Sequence, residues 1–267
     1  MIVCRSAAEL QRLRDVNQLV GHVLAQLREA VAPGVSTEDL DALAEKEIRA
    51  GGAVPAFKGY KGYPATICAS VNEQVVHGIP SPKTLLGDGD IISIDLGAKM
   101  GGFFGDSAIT VGVGRISSTA SDLLRVTEQS LWKGIETVRP GARISDIGHA
   151  VQRHVEQFGF SVVREFVGHG IGSELHEEPQ IPNYGEPGRG PRLVEGMVLA
   201  IEPMVNIGDA GVRVLRDGWT AVTSDRSLSA HFEHTVAVTS DGVEVLSLVK
   251  TKERSHEGTS VSQAHLR

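Results

Sequence analysis

Residues 89–111 read GDIISIDLGAKMGGFFGDSAITV, two apolar, β-branched runs flanking Lys99-Met100-Gly101-Gly102. That pattern predicts a β-hairpin closed by a tight glycine turn. With Met100 and Gly101 as the two-residue loop, Lys99 faces Gly102 and Asp95 falls directly opposite Asp106, on one face. Opposed residues of an antiparallel pair have Cβ atoms about 4.5–5.5 Å apart. Two carboxylates so close repel, and one keeps its proton unless a cation lies between them. A metal site is one reading. An exposed hairpin edge with two solvated acids is the other.

The hairpin start recurs. Gly89-Asp-Ile-Ile-Ser-Ile-Asp95 matches Gly196-Met-Val-Leu-Ala-Ile-Glu202, Val31-Ala-Pro-Gly matches Val138-Arg-Pro-Gly, and Asp39-Leu40 matches Asp146-Ile147. Every pair is separated by the same offset of about 107 positions, which marks one unit built twice. Each half is helix, Pro-Gly turn, helix, then a strand that delivers an acid. The expected fold is a mixed α/β chain of the α+β type: two pseudo-symmetric halves sharing a curved antiparallel central sheet covered by helices.

By this symmetry Glu202 belongs beside Asp95 and Asp106. Glu233, in His231-Phe-Glu-His-Thr-Val, takes the place in the second half that Asp106 has in the first. Four carboxylates on four central strands are untenable without cations, and two divalent ions balance their charge. His169, in Gly168-His-Gly-Ile-Gly172, is read as a loop residue whose glycine neighbours permit close approach to a ligand. Oxygen ligands with one imidazole suit Mn(II), Fe(II), Co(II) or Zn(II).

Around these strands the chain punctuates itself clearly. Ser6 with Glu9 is a capping box, and Leu10, Leu13, Val20, Leu24, Leu27 and Val31 predict a helix over 6–31. Ser36 and Asp39 open a second helix, stopped by Gly51-Gly52. Phe57 to Pro64 is a Gly- and Tyr-rich loop, followed by a strand over 66–71. Two more helices are expected over 123–138 and 145–158, and strands over 161–167, 197–205, 231–238 and 243–248. Residues 1–250 form one domain, with halves at about 6–111 and 118–248. Residues 251–267 are polar and aperiodic, as in a disordered tail.

The composition narrows the function. The 267 residues are 41% hydrophobic with a net charge of −7 and no basic run, which argues against nucleic acid or an anionic membrane as partner. Cys4 and Cys68 are the only cysteines, too few for a disulfide framework or a thiolate zinc site. The N-terminus lacks a signal-peptide pattern and no apolar run reaches the roughly 18–20 residues of a membrane span. A cytoplasmic monomer is expected.

Several segments in order carry a resemblance: Tyr60-Lys-Gly-Tyr63-Pro, Val71-Asn-Glu-Gln-Val-Val-His77-Gly-Ile-Pro, Gly105-Asp106, Gly168-His169-Gly-Ile-Gly, His176-Glu-Glu-Pro179, Ile201-Glu202-Pro203 and Phe232-Glu233-His-Thr. Together with the central hairpin they resemble type I methionine aminopeptidases, peptidase family M24, of the pita-bread fold, over about residues 6–250. The resemblance implies metal-dependent release of N-terminal methionine from nascent proteins and peptides. It implies five metal ligands, Asp95, Asp106, His169, Glu202 and Glu233, with Asp106 and Glu233 bridging two ions. His77 and His176 would contact the scissile peptide. Tyr60, Tyr63, Cys68, His77 and Trp219 would line the methionine pocket, with Phe57 and Leu175 nearby. Leu175 departs from the aromatic residue that the family commonly has there.

The chemistry expected from such a ligand set is attack by a metal-bridging hydroxide, because coordination lowers the pKa of water by many units. His176 would stabilise the oxyanion, His77 would hydrogen-bond the peptide nitrogen, and Glu202 would carry the proton to the leaving amine. The pocket suits an unbranched thioether, and a tight wall beyond it demands a small second residue. Contact with the ribosome, if any, would be transient. Two other readings stand beside this one. Proline-directed peptidases of the same fold usually carry a large N-terminal domain for which this chain has no room. A binding module that has lost its metal requires missing ligands, and all five are present.

Overall fold

A computed structural model describes residues 1–249; the tail expected at 251–267 lies outside the described residues. The two capping boxes form as read. Ser6 and Ser36 each accept a hydrogen bond from the backbone three residues on, and Glu9 and Asp39 reach back. They start α1 (Ala7–Ala30) and α2 (Thr37–Ala50). The next elements are β1 (Ile67–Val71), β2 (Ile91–Met100), β3 (Phe103–Gly112), α3 (Ser118–Ile135) and α4 (Ile144–Glu156). The second half continues with β4 (Gly168–Gly170), β5 (Glu177–Ile181), β6 (Val198–Ile201), β7 (Glu233–Thr239) and β8 (Gly242–Val245).

The central sheet is antiparallel and has nine strands. Its main path runs from Val54–Pro55 through β2, β3, β7, β6 and β4 to β5, with β1 paired to β2 and β8 to β7. The hairpins of the two halves thus lie side by side, β3 against β7. The internal repeat survives as geometry. The isolated bridges Ser36↔Leu85 and Arg143↔Arg192 are counterparts at the offset of 107. So are the hydrogen bonds Gly34 N→Leu86 O and Gly141 N→Leu193 O that close the Pro-Gly turns.

Strand alternation assigns the faces. Ile92, Ile94, Leu96 and Ala98 of β2 pack with Val20, Leu24 and Leu27 of α1 and with Leu40, Ala44 and Ile48 of α2. A matching cluster joins Leu123 and Leu131 of α3 and Ile147 and Val151 of α4 to Leu199, Ile201 and Val236. The helices therefore cover one face of the sheet. Asp95 and Gly97, out of phase with the isoleucines, face the other way.

Three sequence expectations need correction. The hairpin loop is Gly101-Gly102, with Met100 paired to Phe103 and Asp95 to Ala108. Both loop residues have positive φ, +57° and +87°, as a type I′ turn requires; the other register would put Met100 there. Asp95 and Asp106 stay on one face but become diagonal neighbours, with Cα atoms roughly 7–8 Å apart. Second, Gly168–Gly170 is not a loop but a strand held on both edges. A Cβ on Gly168 would lie 2.4 Å from Ala200 O, so glycine admits the neighbouring strand. Third, the strands expected over 197–205 and 231–238 break at Glu202-Pro203 and at Phe232. Pro203 cannot donate to a ladder, and each break lies beside an acid of the site.

Candidate metal centre

The registers place the five candidate ligands in two rows across the concave face. One row reads Cys68, Asp95, Ala108, Glu233 across β1, β2, β3 and β7. Glu202 directly follows Ile201, which pairs with His234. The next row contains Gly97 opposite Asp106 and Thr235 opposite Ala200, itself opposite His169. Thr235 Oγ1 donates to Asp106 O at 2.8 Å and ties the row together. Small residues, Gly97, Ala108 and Ala200, alternate with the ligands; over Gly97 the Phe57 ring packs so closely that a Cβ there would lie 2.6 Å from it.

The ligand atoms of Asp106, His169 and Glu233 all lie within 4.8 Å of one another, and all three residues are buried. Glu202 Oε1 lies 3.5 Å from His169 Nε2, and its Oε2 lies 3.6 Å from His231 Nε2. His169 Nδ1 sits 2.9 Å from Gly170 O, so Nδ1–H donates to that carbonyl and the Nε2 lone pair faces the carboxylates. This is the tautomer a metal ligand needs. Burial holds the His169 pKa below its usual value.

The four acids are in an environment hostile to charge. Burial pushes Asp95 up to about 7. Burial first, then the neighbouring carboxylates, raises Asp106, Glu202 and Glu233. Asp95 Oδ1, Asp106 Oδ1 and Glu233 Oε1 are buried without a hydrogen-bond partner. Orphaned carboxylate oxygens beside an imidazole lone pair are the donor set of a hard or borderline divalent cation, and such a cation would replace the protons these acids otherwise retain. The residues fit the group.

A cleft of about 180 Å³ opens over this cluster, and its walls include Phe57, Tyr60, Tyr63, Cys68, His77, Leu175, His176 and Trp219. Every candidate pocket residue therefore meets the five ligands in one cavity, and Lys61 joins them. Tyr63 is pinned by its hydroxyl to Ile67 O and Gly78 O, both at 3.0 Å. Trp219 packs edge-on against Tyr63 at 5.1 Å and His77 at 6.2 Å. His77 holds φ +61°, a conformation uncommon for any residue but glycine. His176 stacks on Tyr60 at 5.4 Å, with Nδ1 3.0 Å from the Tyr60 hydroxyl. Burial and the facing His169 bring the His176 pKa down to about 3, so it is neutral near pH 7. Leu175 is 1% exposed.

A metallopeptidase family M24 model matches residues 11–240. The chain belongs to that family. It is 53% identical over 249 residues to methionine aminopeptidase 1 of Bacillus subtilis, covering 93% of this chain and all of the relative. It is 52% identical over 248 residues to a methionine aminopeptidase of Clostridium acetobutylicum, covering 93% and 99%. The crystal structure of methionine aminopeptidase from Thermotoga maritima superposes with a TM-score of 0.91 at 46% identity, over 92% and 99% of the two chains. The M24 fold is thereby shown for this chain, and membership of a metallopeptidase family implies a divalent metal. Among the described residues, no helix is long and apolar enough to cross a membrane.

The M24 site rests on supports that the sequence reading passed over. Asn17 of α1 is fully buried; its Nδ2 donates to Leu13 O and its Oδ1 accepts from the backbone of Asp106. An asparagine in the apolar spacing Leu13, Asn17, Val20, Leu24 was the signal available for it. Asn183 Nδ2 donates to Glu202 O at 3.0 Å and Ser107 Oγ to Glu233 O at 2.6 Å. The histidines flanking Glu233 diverge: His231 turns to Glu202, whereas His234 leaves the site and meets Ser247 and Trp132.

Proposed function

We propose that this M24 peptidase is a methionyl aminopeptidase working with two divalent ions, held by Asp95, Asp106, His169, Glu202 and Glu233. The observation that carries the reading is the meeting of four charge-averse carboxylates and one correctly tautomerised imidazole beneath a small apolar cleft. Bound there, divalent ions supply Lewis acidity and bring the pKa of water toward neutrality.

The chain's own groups then divide the remaining work. Tyr63, Cys68 and Trp219, with Phe57 and Leu175, enclose the unbranched side chain of the first residue, and the narrow cleft favours a small second residue. The Tyr60 hydroxyl donates to Nδ1 of neutral His176, which leaves Nε2–H as a donor toward the developing oxyanion. His77 orients the scissile peptide through its nitrogen. Glu202, flanked by two imidazoles, accepts a proton and passes it to the leaving amine. N-terminal methionyl peptides and nascent chains are the substrates.

The test is release of the first residue from Met-Gly-Met-Met and Leu-Gly-Met-Met by metal-depleted protein, with and without Mn(II) or Co(II). Methionine release that requires added metal is expected, with little leucine release. Equal release of both residues would keep the hydrolase and discard the thioether pocket. Folded protein that releases neither with any divalent ion would sink the proposal.

A further inference from the structure

The N-terminal segment ahead of α1 reaches into the second half of the molecule. Arg5 N donates to Gly196 O at 2.7 Å, at the start of the segment that leads into β6. Its guanidinium pairs with Glu177 Oε2, and the two side chains are only 5% and 12% exposed. Glu177 Oε1 faces the other way and accepts from Ser173 Oγ at 3.2 Å and Glu174 N at 3.1 Å. One carboxylate thus ties the chain terminus to the turn over 173–177, which carries Leu175 and His176 into the cleft. The seat is built for a guanidinium. A Cβ on Gly172 would lie 2.0 Å from Arg5 Nη2, and one on Gly196 would lie 2.8 Å from Arg5 O. The Phe103 ring faces the Arg5 guanidinium at 5.9 Å. Among the described residues the first half shows no such strap: a Cβ on Gly89, the counterpart of Gly196, would have only Arg115 O within 4 Å, at 3.8 Å.

We propose that Arg5 is a positioning residue, whose ion pair with Glu177 holds the 173–177 turn so that His176 and Leu175 meet the substrate. The inference rests on the aminopeptidase reading. Breaking one side of a buried pair leaves an uncompensated charge, and here the turn can relieve it only by moving. Lysine lacks the planar fork that fits between Gly172 and Phe103 and reaches Glu177, so it restores the pair in part.

The experiment compares wild type with Arg5→Met, Arg5→Lys, Glu177→Gln and the Arg5→Met/Glu177→Gln pair. It reads kcat and KM on Met-Gly-Met-Met, Mn(II) affinity by calorimetry, and amide exchange of the 172–177 segment. Arg5→Met is expected to lower kcat by about 10–100-fold, the cost of misplacing a group by about 1 Å. Mn(II) affinity stays within about threefold, exchange in the turn accelerates, and Arg5→Lys recovers part of the loss. The double variant is no worse than either single one, because both remove the same interaction. The latch is overturned if Arg5→Met keeps wild-type kcat and exchange, if the single losses multiply, or if kcat falls only in step with Mn(II) affinity. Wild-type protein inert with metal would refute the aminopeptidase reading alone. The exchange comparison still decides the latch.

Discussion

His176 and the carboxylates make the sharpest claims at the level of single residues. His176→Ala removes the proposed oxyanion donor and is expected to lower kcat about 10²–10³-fold, with Mn(II) affinity intact by calorimetry. Tyr60→Phe keeps the ring but deletes the hydroxyl 3.0 Å from Nδ1, freeing the imidazole to take either tautomer. A smaller kcat loss, about tenfold, is the expected result from initial rates at saturating peptide, given that supports of this kind are worth about 10–100-fold. A loss equal to that of His176→Ala would give Tyr60 a direct part in the chemistry. These roles were partly legible. Asp95 and Asp106 followed from the hairpin; Glu202 followed from the repeat at the common offset, and Glu233 from the corresponding returning strand, displaced by an insertion of about twenty residues. Asn17 and Arg5 were not, since an asparagine on a helix and an arginine near a terminus acquire meaning only from the distant groups they touch.

The hairpin of β2 and β3 is decided by its turn. Gly102 sits at φ +87° with nothing within 4 Å of a Cβ, so Gly102→Ala meets backbone strain and no clash. It is expected to cost about 1–2 kcal/mol, read as a lower urea midpoint at unchanged slope. Leu27, fully buried in the cluster under the first half, is a different case, because the void remains. Leu27→Ala is expected to cost about 2–5 kcal/mol while leaving the ligand geometry, and hence kcat per folded molecule, near wild type. Helices and capping boxes were readable along the chain since their signals are local. Register was not: two adjacent glycines next to a methionine permit two loops, and only the positive φ demanded at both positions chooses between them.

Across the whole molecule, the proposed centre draws on both halves, with Asp95 and Asp106 from the first hairpin and Glu202 and Glu233 from the strands of the second. A ligand that binds only the folded state stabilises it by mass action. Free Mn(II) at about 100 times its Kd should add about 2.7 kcal/mol, or roughly 5–10 °C in Tm for a chain of this size. Chelation should remove that increment, and Asp106→Asn should nearly abolish it; a melting curve indifferent to Mn(II) would count against the centre. The amino-acid sequence alone determined the helices and their caps, the twofold repeat, and which four acids lie at matching strand positions, because periodicity, capping and internal symmetry are written in neighbouring or regularly spaced residues; His77 and His176 were singled out only by the family resemblance. Only the tertiary structure decided that Asp95 and Asp106 are diagonal rather than opposed, that His169 rides on a strand, and that Glu202 stands between His169 and His231. The first fact follows from the hairpin register that the positive-φ Gly101-Gly102 turn fixes; the others depend on strands and side chains far apart in the chain, which meet only when the whole sheet is assembled.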